Sequence, residues 1–100
     1  MPTLYITEFS ESGLAQVPNR APMAPLPAVA SQAVTISGTS AQSSAFNSAT
    51  RAIRIHTDAI CSVLVGANPT AATTSPRMAA DQTEYFSVQP GDRIAVISNT

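Results

Sequence analysis

Polar and apolar residues alternate at period two through much of this 100-residue chain, which is the spacing of β-strands with one face buried. The alternation is sharpest over residues 83–98. There Phe86 and Val88, then Ile94 and Val96, fall on one side, while Tyr85, Ser87, Arg93 and Ala95 fall on the other. Between the two runs stands Pro90-Gly91-Asp92. Proline presets φ for the second position of a turn, and glycine accepts the positive φ of the third position of a type II turn. The segment therefore predicts a closing β-hairpin.

The same reading places a first strand at residues 3–9, a short strand at Ala33–Ser37 ended by Gly38, and a half-buried strand at Arg51–Thr57 with Ile53 and Ile55 on its apolar side. Ile60–Val65 is continuously apolar and predicts a central core strand, joined to the previous one by a tight turn at Asp58-Ala59. Residues 39–50 read as a connection of small residues anchored by Phe46, and 67–76 as a loop, with a short edge strand over Arg77–Ala80. Six or seven short strands with frequent turns predict an all-β fold, a small antiparallel β-sandwich or barrel. From about Glu11 to Ala30 the pattern changes. Pro18, Pro22, Pro25 and Pro27 remove backbone donors and fix φ, so this stretch predicts an extended, polyproline-like arm. The chain thus divides into an N-terminal strand with a Pro-rich arm, residues 1–32, and a compact β domain, residues 33–100. Tyr5, Phe9, Pro22, Met23, Pro25, Leu26 and Pro27 are the candidate partner-contact residues, because an extended segment with apolar anchors can lie along a neighbouring subunit.

Composition narrows the possible partners. Only 11% of residues are charged, against about 25% in an ordinary soluble domain, so much of the surface consists of Ala, Ser and Thr and suits burial against other subunits. The formal net charge is −1, and all five basic residues are arginine. That balance gives no electrostatic reason to expect nucleic acid or an anionic membrane as partner. Met1-Pro2-Thr3-Leu4-Tyr5 lacks the basic start and apolar run of a secretory signal, and no stretch approaches the roughly 20 apolar residues of a spanning helix. The expectation is a protein made and assembled in the cytoplasm of its producing cell. Cys61 is the single cysteine, set in an apolar run, and reads as a small buried hydrophobe.

The residues that carry chemistry are sparse. His56 is the only histidine, so a metal site could take one imidazole from this chain, with no cysteine pair to complete it. Arg54, His56 and Asp58 would share a strand face, which reads as a solvated polar face, since no motif positions a serine or cysteine nucleophile. Asp81 and Glu84 form a spaced carboxylate pair, a weak signal for acid-base work. The four glycines are scattered singly, which excludes a Gly-rich phosphate loop. No catalytic, cofactor or metal residues are assigned, and an enzyme is not expected.

Several stretches together carry a resemblance: Val34-Thr35-Ile36-Ser37-Gly38-Thr39-Ser40, Ser44-Ala45-Phe46-Asn47-Ser48-Ala49-Thr50-Arg51, Arg54 through Val63, Gly66 through Ala71, and Glu84 through Ile97. Over residues 33–98 the chain resembles a group of small virion proteins of tailed bacteriophages associated with the capsid. The resemblance implies a structural role: a decoration or cement protein on the outside of the head, contacting the major capsid protein or other virion proteins as a homo-oligomer, taken as a trimer. It brings no catalytic residues. The alternatives are a component of a head-fibre base, neck or tail, and a glycan or host-surface binding module using groups such as Tyr85, Asn47 and Asp92.

Overall fold

Runs of Ile, Val, Thr and Tyr build eight strands in the computed structural model, which describes residues 2–10 and 28–99. They are β1 (Thr3–Phe9), β2 (Ala30–Thr35), β3 (Ala41–Gln42), β4 (Ala52–Thr57), β5 (Cys61–Gly66), β6 (Arg77–Met78), β7 (Thr83–Ser87) and β8 (Arg93–Ser98). Among the described residues there is no helix. The strands form two four-stranded sheets, ordered β2-β1-β4-β7 and β3-β8-β5-β6, and every pairing is antiparallel. Their inner faces meet in one core of Leu4, Ile6, Val34, Ile53 and Ile55 from the first sheet and Cys61, Val63, Met78, Ile94 and Val96 from the second. Ile36, Phe46 and Val88 complete it from the connections. Each Leu or Ile so buried contributes about 1.5–3 kcal/mol relative to exposure.

Two expected hairpins are corners between sheets. The Pro90-Gly91 turn itself forms, with the Asp92 amide donating to the Gln89 carbonyl at 3.1 Å and Gly91 at φ 84°. Its flanking strands part company, β7 pairing with β4 in the first sheet and β8 with β5 and β3 in the second. A type II turn does not match the twist of paired strands and splays them. The turn is instead tied sideways to the connection before β4: the Phe46 amide donates to the Asp92 carbonyl at 2.8 Å and the Gly91 amide to the Phe46 carbonyl at 3.2 Å. Likewise β4 and β5 lie in different sheets. No residue of 58–60 takes the positive φ that a tight primed turn requires. The buried Thr57 shapes this corner, its hydroxyl accepting from the Ala59 amide at 3.2 Å and donating to the Ala59 carbonyl at 2.6 Å.

The boundary drawn at residue 32 also falls inside a sheet. β1 lies between β2 and β4, and the second strand begins at Ala30 rather than Ala33, so residues 3–9 and 30–32 belong to the same body as the rest. Removing residues 1–32 would therefore take out an interior strand and half of its neighbour. The proline segment at 11–27, with Pro22, Met23, Pro25, Leu26 and Pro27, lies outside the described residues.

The two outer faces are finished differently. On the second sheet Ser62 and Ala95 point away from the core yet are 0% exposed, and the 67–76 loop is tied to the residues beside them, Gln42 opposite Ala95 and Asn99 on Ser62. Gln42 on β3 donates to Asn68 Oδ1 at 2.9 Å and to the Pro69 carbonyl at 2.6 Å. Further along, the Ala71 amide donates to Ser40 Oγ at 2.8 Å. Asn99 closes the return, donating to Ser62 Oγ at 2.7 Å and to the Thr73 carbonyl at 3.0 Å. The same outer face also carries Leu64, which stays 39% exposed.

Candidate functional site: the open face of the first sheet

Alternation along β1, β4 and β7 turns Leu4, Ile6, Ile53 and Ile55 inward and Tyr5, Thr7, Arg54, His56, Thr83 and Tyr85 outward. The strand register then sets these outward residues in rows. Tyr5 stands opposite His56, and His56 opposite Thr83. In the next row Thr7 stands opposite Arg54, and Arg54 opposite Tyr85. Tyr5 is 48% exposed and Tyr85 61%, far more than the remaining aromatic residues Phe9, Phe46 and Phe86. They stand two strands and one row apart, about 12 Å at the usual strand spacing and rise, with Arg54 beside Tyr85 and His56 beside Tyr5 on the strand between them. On the β2 side the face continues in exposed Ser31, Ala33 and Thr35.

Along the strands the charge of this face is one-sided. None of its outward positions on the four strands is a carboxylate. Glu8 belongs to the inward row of Leu4 and Ile6 and is 2% exposed, while Glu84, paired with Ile55, shares the inward phase. Arg54 makes no ion pair or hydrogen bond among the described residues. A guanidinium beside two partly exposed phenols offers bidentate donors, cation–π contact and two flat amphipathic surfaces.

One end of the face holds the group with most donor atoms. His56 Nδ1 and Thr83 Oγ1 share a hydrogen at 2.9 Å, which leaves Nε2 directed at Asp81 Oδ1, 4.0 Å away. Asp58, in the β4–β5 corner, completes a trio whose ligand atoms lie within 4.8 Å of one another. Asp81 takes φ 61°, its amide donating to the Thr57 carbonyl at 2.8 Å. One imidazole nitrogen and two carboxylates could hold a divalent cation with solvent filling its remaining positions. Asp81, however, is 81% exposed. The expected trio of Arg54, His56 and Asp58 is thus replaced: Asp81 from the β6–β7 connection takes the place of Arg54, which stands with the tyrosines.

Of the residues expected to meet a partner, Tyr5 is on this face and open. Phe9 is buried and stands outside the core shared by the sheets, so its ring presents little surface. The reading from sequence missed Glu8. Its Oε1 accepts from the Asn47 amide at 2.8 Å and from Thr50 Oγ1 at 2.8 Å, and its Oε2 accepts from Gln32 Nε2 at 3.1 Å. These bonds fix the 44–50 connection to the first sheet. The signal was its phase with Leu4 and Ile6. Burial pushes the Cys61 thiol above its ordinary pKa, against a smaller opposing effect of its hydrogen bond to Thr57; it is a core side chain, as expected.

A shallow groove of about 190 Å³ lies between β5 of the second sheet and β7 of the first, lined by Val63, Leu64, Val65, Pro76, Phe86 and Ser87. Its lining is mainly apolar and carries no titratable group. No family model, curated protein or solved structure matches the chain.

Proposed function

We propose that this chain is a structural component of a tailed-phage virion, a small β-sandwich that decorates the outside of the head and cements neighbouring capsomers. The observation that carries the reading is the make-up of its exterior. With 11% charged residues, the surface is dominated by small uncharged side chains such as Ser31, Ala33, Thr35, Ser44, Ala45 and Ser48, all exposed. Such surfaces lose little hydration and little side-chain entropy when covered. The resemblance of residues 33–98 to capsid-associated phage proteins supports the same reading. So do the side chains with the best-defined polar geometry, Glu8, Gln32, Thr57 and Asn99, which join one part of the chain to another.

Cementing works by multivalency. Each copy adds a modest contact, and a symmetric oligomer, taken here as a trimer, joins several contacts into one attachment whose strength exceeds any single one. Quantitative gels of purified virions test the reading. A head decoration gives hundreds of copies per particle, whereas a neck or tail component gives about a dozen, as symmetric assembly dictates. Absence of the chain from purified virions, or binding to heads no better than an unrelated protein, would refute it.

A further inference from the structure

We infer that the open face of the first sheet, centred on Arg54 between Tyr5 and Tyr85, is the surface by which this protein docks on another protein, and that the partner presents a carboxylate side chain to Arg54. The inference rests on the virion reading for the identity of the particle, and on the face itself for the chemistry.

Three observations meet here. Tyr5 and Tyr85 are two of the three large hydrophobic residues left exposed among the described residues, and both stand on this one face. Tyrosine and arginine are the residues that dominate protein interfaces energetically, since each combines a large contact area with hydrogen-bonding capacity. Around them Ala33, Ser31, Thr35 and Ser87 are small and exposed, so a partner surface can approach the two rings closely.

Charge then selects the occupant. Arg54 has no carboxylate partner among the described residues, and the strand positions around it offer none. A second copy applied face to face about the centre of this surface would set Arg54 against Arg54, since its carboxylates Asp58 and Asp81 stand at one end beside His56. A partner with an Asp or Glu at the centre of its contact satisfies the guanidinium bidentately and leaves the rings to cover apolar surface. Two large rings beside a guanidinium match the aromatic and arginine-rich make-up of protein interfaces.

The test uses the full chain and phage heads assembled without it. Tyr5→Ala, Tyr85→Ala and Arg54→Glu are compared with wild type in a sedimentation binding assay, and Arg54→Lys is included because it keeps charge but not the bidentate fork. Each single change should weaken binding at least tenfold, about the effect of removing one central interface residue, with Arg54→Glu the worst and Arg54→Lys intermediate. Unchanged thermal unfolding of the four variants shows that the fold is intact, as outward-facing positions away from the core require. Wild-type binding that all four variants retain would overturn the docking face and leave the virion reading standing. Failure of the wild type to bind heads would overturn both, and binding by wild type to an acidic glycan, lost in the same variants, would replace the protein partner with a sugar.

Discussion

The two sheets of this protein are near equals inside and opposites outside. Both contribute Ile and Val to one core, but the second sheet buries Ser62 and Ala95 of its outer surface near the 67–76 loop and exposes Leu64 at 39%, while the first, among the described residues, buries only Phe9 at its end and leaves Tyr5 and Tyr85 open. The side chains match these fates. Under the loop stand Ser62 and Ala95, fully buried; on the open face stand Tyr5, Arg54 and Tyr85. Where the chain lies against that face the residues beneath are small, so that backbone can approach. Large amphipathic residues on an uncovered face contribute little to folding, since a half-exposed ring buries little area, and so point to a use outside the fold.

The sharpest way to break this comparison is at the polar lock between the sheets and their connections. Glu8→Ala should lower unfolding free energy by about 3 kcal/mol, because the Asn47 amide and the Thr50 hydroxyl lose a charged acceptor in a buried place; urea unfolding measures it, and a change below about 0.5 kcal/mol would show the lock to be idle. Next comes a matched pair. Ala95→Leu, under the loop, should cost about 2 kcal/mol by overpacking, while Ala33→Leu on the open face should shift stability by less than about 0.5 kcal/mol. Equal costs would mean that the two faces are not differently covered. A smaller loss, about 1 kcal/mol, is expected from Asn99→Ala, which frees the loop's return from Ser62. Amide exchange in residues 70–75 should rise in that variant and stay unchanged in Tyr85→Ala.

The smallest effect concerns the core itself. The folded-state pKa of Cys61 is raised above its ordinary 9.0, so the unfolded chain releases the thiol proton first. Stability from this group is whole below pH 9.0 and declines as pH rises toward the folded-state value. Cys61→Ala should flatten that decline, as unfolding curves between pH 8 and pH 10.5 would reveal.

How much of this was legible in the sequence can be read from particular residues. Period-two alternation located the strands well, since it reports which side of a strand is buried, and Phe46 stood out as an isolated bulky anchor. Alternation does not report which strand is the neighbour. For that reason 83–98 looked like a hairpin, although its turn ties to Phe46 and sends β8 to the other sheet. Strand β1 looked separable for the same reason: the proline-rich stretch after it marks a break in pattern along the chain, which says nothing about pairing across it. The outward residues were partly legible. Tyr5 was singled out, but Arg54 was grouped with His56 and Asp58 along its own strand, and only the register with β1 and β7 sets it between two tyrosines. Asp81 met His56 through the β6–β7 connection, which no local spacing encodes.

One measurement tests the use of the open face most directly. Tyr5 and Tyr85 are the only tyrosines in the chain, so nitration by tetranitromethane followed by mass spectrometry reads that face with no background from elsewhere. In the free protein both rings should be nitrated. On heads both should be protected together while the free protein in the same tube is not. Equal nitration of both rings in the bound and free states would contradict the account, because the face that the fold leaves uncovered would then remain uncovered at work.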